Sequence, residues 1–289
     1  MVEALGLGSI LLWQWLTVLK GPLLVPSPGT FFEDPRVGYV YFSLVLCGTL
    51  LVLTRWGPSL RERGFRPLLW GCAGVMSLAW LPWGEALRAL APWGPFLQIG
   101  LPAVGSVVLL VSWEWRLTSA PFFLQSSVFG GACALRTGLI LLVSLALPSL
   151  LVPLATTLPF LAALLWSPPG KASGSPPPSE VQPSSFPLRL ALRAGSFFLL
   201  SALFLSLLLD RRNPSIGLAE VFCDPLYTLG ALGVGFALRF VRGLDLRRIY
   251  HGAEIFLALG FLAFAALGEG RPLVPLGLLQ LGAGILGAY

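Results

Sequence analysis

Two basic residues lie inside long apolar stretches of the sequence, where a charge is expensive to bury. Arg136 lies about fifteen residues into the apolar run 121–145, and Lys20 lies near the end of the run 5–24. The planar guanidinium of Arg136, next to Thr137, could bind a carboxylate or a phosphate. An internal pairing with a carbonyl or a distant acid is the equal alternative for Arg136, whereas Lys20 can extend its ammonium to the end of its run.

Three uncharged residues are further candidates for ligand contact. Gln98 and Gln280 lie in the runs 95–113 and 272–289, where an amide can hydrogen-bond a ligand or bridge two helices. Trp13 lies within the first apolar run, away from the ends at which tryptophans usually anchor. These residues complete the predicted ligand site.

The sequence indicates neither catalysis nor a cofactor. It contains no paired acids, no nucleophile with a base and no phosphate-binding glycine loop, so we expect no enzyme. The four cysteines lack CxxC spacing and His251 is a single histidine, so we expect no metal. We place Asp224 at the outer edge of the run 225–240 and expect no acid deep within a run, which argues against proton coupling.

The composition predicts an all-α, polytopic helical membrane protein. The 289 residues are 56% hydrophobic and 11% charged, against about 25% charged in an average soluble domain. Apolar runs of roughly twenty residues recur, so the expected partner is the lipid bilayer. The net charge of +6 comes from basic residues in short loops, which we interpret as topology signals without nucleic-acid contact.

The runs divide the chain into two membrane domains and a linker. Residues 1–167 would form a six-helix bundle, and residues 188–289 a bundle of four helices. Residues 168–187 are rich in Pro, Ser and Gly and predict a cytoplasmic linker. The basic loop 55–66 and the excess of Lys and Arg in alternate loops place the N-terminus in the cytoplasm. The ten predicted spans are 5–24, 37–54, 67–83, 95–113, 121–145, 149–166, 188–209, 225–240, 250–267 and 272–289.

Short matches between the two membrane domains indicate an internal repeat. Phe-Glu-Asp-Pro at 32–35 corresponds to Phe-Cys-Asp-Pro at 222–225, and Leu-Gln-Ile-Gly at 97–100 to Leu-Gln-Leu-Gly at 279–282. A duplicated six-span unit predicts twelve spans. Ten are present, and the tenth is shorter than its counterpart, so we expect the sequence to be a fragment.

Two six-span repeats with a cytoplasmic linker resemble the major facilitator superfamily of transporters. That family carries a motif between spans two and three that reads Gly, three residues, Asp-Arg, one residue, Gly, Arg and a basic residue. Gly57, Gly64 and Arg66 match it, whereas Arg61 replaces the Asp and Glu62 the first Arg. The conformational loop that the resemblance implies comprises Gly57, Arg61, Glu62, Arg63, Gly64 and Arg66, with Arg247 and Arg248 in the second half.

The resemblance implies a multi-pass protein of a bacterial-type cytoplasmic membrane that moves a small solute by alternating access. Arg136 would suit an anionic solute. The Trp-containing first span and the stretch 104–116 also resemble membrane domains of LuxR-type regulators, which carry a DNA-binding helix-turn-helix after a transporter-like part. The alternative is therefore a ligand-sensing input domain whose DNA-binding part is missing from this sequence.

Overall fold

A computed structural model describes residues 1–19, 35–62, 65–80, 90, 93–117, 120–145, 150–166, 214–241, 246–267 and 273–288. Within these ranges the chain forms α-helices and no strand, which confirms the all-α prediction. The helices are α1 (Val2–Leu19), α2 (Pro35–Glu62), α3 (Phe65–Leu78), α4 (Gly94–Leu117), α5 (Phe122–Leu145), α6 (Leu151–Leu165), α7 (Pro214–Phe240), α8 (Leu246–Leu267) and α9 (Leu273–Ala288).

Helix α1 lies at the centre of the N-terminal six helices, where it packs against α4, α5 and α6. Helix α3 packs against α4 and α6, and α2 packs against α4. The closest approach is at Gly6 of α1, where a Cβ atom would overlap the buried indole of Trp113. The glycine therefore lets α1 and α4 pack without a gap around one large aromatic ring.

In the C-terminal part of the described chain, α9 lies between α7 and α8. A Cβ on Gly230 of α7 would lie 2.5 Å from the carbonyl oxygen of Leu281 on α9. A Cβ on Gly260 of α8 would lie 2.7 Å from the side chain of Leu279. Glycines at these contacts bring the helix backbones together, as small residues do between membrane helices.

The main contact between the N-terminal helices and the C-terminal helices is made by α5 and α7. Ser127 approaches Gly235, Gly130 approaches Leu232, and Arg136 reaches Asp224. The residue number rises on α5 as it falls on α7, so the two helices are antiparallel. The contact extends over about ten residues of α5, or roughly 15 Å at 1.5 Å per residue.

Two helical segments among the described residues are long and apolar enough to cross a membrane, namely Gly94–Leu117 and Arg247–Leu267. Three shorter apolar segments are Val40–Leu53, Leu151–Leu165 and Leu273–Ala288. Length and hydropathy alone also fit a core helix of a soluble protein, especially for the mostly buried Gly94–Leu117. The ten predicted spans therefore stay a prediction, and span 188–209 and the linker lie outside the described residues.

The prediction of a loop over residues 55–66 is wrong for its first eight residues. Helix α2 continues to Glu62, so Gly57 and Arg61 lie within a helix rather than in a turn. Charged side chains such as Arg61 end an apolar run without ending a helix, because Arg and Glu are good helix formers. Similarly, Arg247 and Arg248 lie in the first turn of α8, not in a turn before it.

The predicted start of the run 225–240 is also wrong as a helix boundary. Helix α7 begins at Pro214, eleven residues earlier, and carries Pro225 in its interior. Asp224 therefore lies near the middle of a helix and is buried. The predicted position of Asp224 at the outer edge of an apolar run is therefore corrected to the interior of a helix.

Candidate functional site: a buried ion pair between α5 and α7

Arg136 and Asp224 form a buried ion pair where α5 meets α7. The Arg136 Nη2 atom donates a hydrogen bond to Asp224 Oδ1 at 2.5 Å. Both residues are almost fully enclosed, with exposed fractions of 8% for Arg136 and 2% for Asp224. In the structure Arg136 therefore pairs with a distant acid, which is one of the two interpretations that the sequence left open.

Two threonine hydroxyls extend the pair into a hydrogen-bonded chain. Thr137 donates to Asp224 Oδ2, and the Thr137 and Thr228 hydroxyl oxygens lie 2.7 Å apart. A threonine hydroxyl has one hydrogen and an ionised carboxylate has none, so Thr137 must accept from Thr228. Each carboxylate oxygen of Asp224 therefore receives one donor.

The local sequence places these four groups on facing helix surfaces. Asp224 and Thr228 are four residues apart on α7, so they lie on one face, one turn above the other. Arg136 and Thr137 are adjacent on α5, and each donates a hydrogen bond to a different oxygen of the Asp224 carboxylate. The close packing at Gly130 and Gly235 on the same contact brings the two helices near enough for these short side chains to meet.

Tyr227 covers the guanidinium of Arg136. The Arg136 Cζ atom lies 4.5 Å from the centroid of the Tyr227 ring, within the range of a cation–π interaction. Tyr227 also contacts α9, because a Cβ on Gly284 would overlap its backbone carbonyl and a Cβ on Gly287 would lie 2.8 Å from its hydroxyl. The aromatic ring thus links the ion pair to the third helix at this contact.

The Arg136 guanidinium uses only part of one edge for this pair. Its Nε and Nη2 atoms lie on the same edge, the one that binds a carboxylate through two parallel hydrogen bonds. Nη2 bonds to Asp224, whereas the buried Nε atom has no hydrogen-bond partner among the described residues. The second carboxylate oxygen of Asp224 accepts its hydrogen bond from Thr137 and not from Arg136 Nε. Asp224 therefore binds one of the two nitrogen atoms on this edge of the guanidinium.

The predicted ligand residues do not form one group. Arg136 and Thr137 share the ion-pair site, but Trp13 is fully buried in the apolar core of the N-terminal helices, where its Nε1 atom has no hydrogen-bond partner within the described part of the chain. Gln98 is buried on α4, and Gln280 is partly buried on α9. Lys20 lies outside the described residues.

The predicted conformational loop is only partly described. Gly57, Arg61 and Glu62 lie in the last part of α2, and Arg66 is an exposed residue at the start of α3. Arg247 and Arg248 are exposed on α8. Arg63 and Gly64 lie outside the described residues.

The sequence analysis missed Asp224, Thr228 and Tyr227 as members of the site. The available signal was the spacing Asp-x-x-x-Thr at 224–228, which places a carboxylate and a hydroxyl on one helix face. The apolar run begins only at residue 225, so the sequence pattern puts Asp224 outside the run that carries Thr228.

A second ion pair joins α1 to α4 at one end of the N-terminal helices. Arg116 Nη2 lies 2.9 Å from Glu3 Oε1, and the Arg116 guanidinium carbon lies 5.5 Å from the Trp113 ring centroid. A hydrogen bond that the Glu3 carboxylate accepts from its own backbone N–H, and then the hydrogen bond from Arg116, lower the pKa of the Glu3 carboxyl from its ordinary value. This pair is partly exposed and lies within the N-terminal helices, so we do not assign it to the ligand site.

No family model matches this chain, and comparison with the curated proteins and with the solved structures gives no significant match. Functional inference therefore depends on the residues and the geometry described above.

Proposed function

We propose that the chain is an integral membrane protein that moves a small anionic solute by alternating access, with Arg136 as the anion-binding group. The observation that carries the proposal is the buried Arg136–Asp224 pair at the contact of α5 with α7. Charged residues within membrane segments are rare, pair with one another, and mark the pathways of substrates and ions.

The distribution of exposed apolar side chains supports a bilayer as the surrounding medium. Several large apolar residues are exposed on the same helix, as with Leu44 and Leu51 of α2 and Ile255 and Leu262 of α8. Continuous exposed apolar surface marks a contact with a membrane or with another protein. A lipid environment would cover these faces while Arg136 and Asp224 stay shielded inside.

The position of the pair suits alternating access. In transporters built from two repeats, one half rocks against the other around a site at their interface. The Arg136–Asp224 pair and the Thr137–Thr228 hydrogen bond both cross between the N-terminal and C-terminal helices. Rocking at this contact would have to break these bonds, and a ligand that replaces Asp224 on Arg136 would compensate for their loss.

The free part of the Arg136 edge supports an anionic ligand. A carboxylate that occupied both Nε and Nη2 would satisfy the orphaned Nε atom and form two charge-assisted hydrogen bonds. Asp224 forms one such bond with this edge. A small carboxylate therefore offers Arg136 a better partner than the one it has at rest.

The proposal is tested first by membrane extraction and then by transport. The protein should stay in the membrane pellet after carbonate extraction at high pH. A small monovalent anion such as nitrate or methanesulfonate should enter liposomes that contain the protein at a higher rate than it enters liposomes without protein. Arg136→Gln should remove most of this entry, whereas Arg239→Gln, at an exposed position of α7, should leave it unchanged. Release by carbonate, or equal rates for both variants, would contradict the proposal.

The alternative function is ligand sensing, and the observation that favours it is the direct contact between Arg136 and Asp224. A ligand that displaced Asp224 from Arg136 would alter the α5–α7 contact even if it never crossed the membrane. Such a protein would report binding to an attached domain, as the resemblance to LuxR-type regulators implies. Binding of an anion that quenches or shifts tryptophan fluorescence, without entry into liposomes, would favour this alternative.

A further inference from the structure

The ionisable groups around the ion pair leave it electrically neutral. Helix α5 contributes Cys133 and Arg136, and α7 contributes Asp224 and Tyr227. Helix α9, which packs against both, contains no ionisable side chain. With ordinary protonation of the thiol and the phenol, the charges on Arg136 and Asp224 cancel, and among the side chains that the structure describes no other charged group contacts the pair.

Addition of an anion to this site would leave one uncompensated negative charge in a buried environment. An unpaired buried charge is costly, and proteins usually avoid it by a change of protonation. Arg136 cannot give up or take up a proton, because its guanidinium stays protonated. Among the described residues in contact with Arg136, Asp224 is the group that can restore neutrality, by uptake of a proton from the aqueous solution.

The hydroxyl chain can accommodate the protonated acid. With Asp224 ionised, hydrogen bonds run from Thr228 to Thr137 and from Thr137 to the carboxylate. With Asp224 protonated, its O–H can donate to Thr137, which then donates to Thr228. Thr228 can direct its own hydrogen to a carbonyl one turn back on α7, as threonines in helices commonly do. Both states keep the Thr137 hydroxyl, the Thr228 hydroxyl and Asp224 Oδ2 hydrogen-bonded.

We propose that Asp224 takes up one proton for each anion that binds Arg136, so that proton and anion cross together. This inference depends on the proposed transport function and names its coupling ion. When the anion displaces Asp224 from Arg136, the carboxylate loses its cation, and protonation of Asp224 removes that unpaired charge. When Asp224 is protonated first, Arg136 loses its anionic partner, and the bound anion replaces it. The two events therefore favour each other. By linkage, the proton and the anion must then strengthen each other's binding equally.

The test uses the full chain in liposomes that contain a pH-sensitive dye, with nitrate or methanesulfonate outside. Both anions keep a single charge between pH 5 and 8, so any proton that enters is not carried by the anion itself. Wild-type protein should acidify the interior as the anion enters. An inward pH difference of one unit should drive about tenfold accumulation of the anion, since a one-unit difference is a tenfold proton ratio.

Asp224→Asn tests the proton-binding role, because asparagine is a neutral, equally large stand-in for the protonated acid. This variant should still exchange the anion across the membrane, but neither acidify the interior nor respond to the pH difference. Glu254→Gln, on the exposed face of α8, is the matched control and should behave as wild type. The wild-type measurement stands by itself if the Asp224 variant fails to fold.

The outcomes separate this inference from the proposed function. Anion entry by wild-type protein without acidification would overturn proton coupling and leave transport standing. No entry of either anion would overturn the proposed transport, and the inference with it. Acidification that persists in Asp224→Asn would assign the proton to another group and overturn the role given to Asp224.

Discussion

The guanidinium of Arg136 and the carboxylate of Asp224, 88 residues apart in the sequence, form a 2.5 Å ion pair that joins α5 to α7. The pair is buried, and Thr137, Thr228 and Tyr227 surround it. A buried charge that loses its partner is far more costly than the absence of both charges. The energetics of this contact should therefore depend strongly on which residue is replaced.

Replacement of Arg136 by Met should destabilise the protein by about 3–5 kcal/mol, because Asp224 would stay buried without its cation. Replacement of Asp224 by Leu should cost a similar amount. The double variant should recover most of this loss, since no charge then stays buried. Thermal unfolding in detergent, followed by circular dichroism, measures all four proteins of this cycle. If the double variant is as unstable as the sum of the single variants, the two residues do not act as a pair.

Thr137 and Thr228 should contribute unequally to the stability of the folded protein. Thr137→Val would leave one Asp224 oxygen without a donor, at a cost of about 1–3 kcal/mol in stability. Thr228→Val would remove only the second bond of the chain and should cost about 0.5–1.5 kcal/mol. Thr157→Val is the control, because Thr157 is exposed and bonds within its own helix. Urea unfolding of the three variants ranks them, and an equal loss for Thr137 and Thr228 would contradict this order.

Part of this structure was accessible from the sequence. The runs 121–145, 149–166 and 272–289 agree within two residues with α5 (Phe122–Leu145), α6 (Leu151–Leu165) and α9 (Leu273–Ala288). These helices are apolar from end to end, so hydropathy and helix length coincide. Arg136 was also recognised, because a charge within an apolar run is conspicuous.

The rest of the site depends on tertiary contacts that the sequence does not display. The apolar run 225–240 puts Asp224 at a boundary, whereas α7 continues through Pro225 from Pro214. A helix interior tolerates proline where neighbouring helices supply the packing energy. The partner of Arg136 lies 88 positions away, and no local pattern could choose it among the 13 acids of the chain.

Gly230 and Gly233 of α7 provide a matched test of helix packing. A Cβ on Gly230 would lie 2.5 Å from the carbonyl oxygen of Leu281, whereas no atom of the described residues lies within 4 Å of a Cβ on Gly233. Gly230→Ala should therefore lower the unfolding temperature and the yield of monodisperse protein. Gly233→Ala should be neutral or stabilise the helix by up to about 1 kcal/mol, because alanine is the better helix former. Equal effects of the two substitutions would contradict close packing of α7 on α9.

The Glu3–Arg116 pair should make stability depend on pH. Because the folded-state pKa of Glu3 lies below its ordinary value, the pair stabilises the protein fully above that ordinary value. This contribution is lost as the pH falls through the lowered pKa. Glu3→Gln should therefore lower the unfolding temperature at pH 7 by a small amount, since the pair is partly exposed. The difference between wild type and variant should shrink as the pH drops below about 4.5. A difference that stays constant from pH 7 to pH 3 would show that Glu3 acts without its charge.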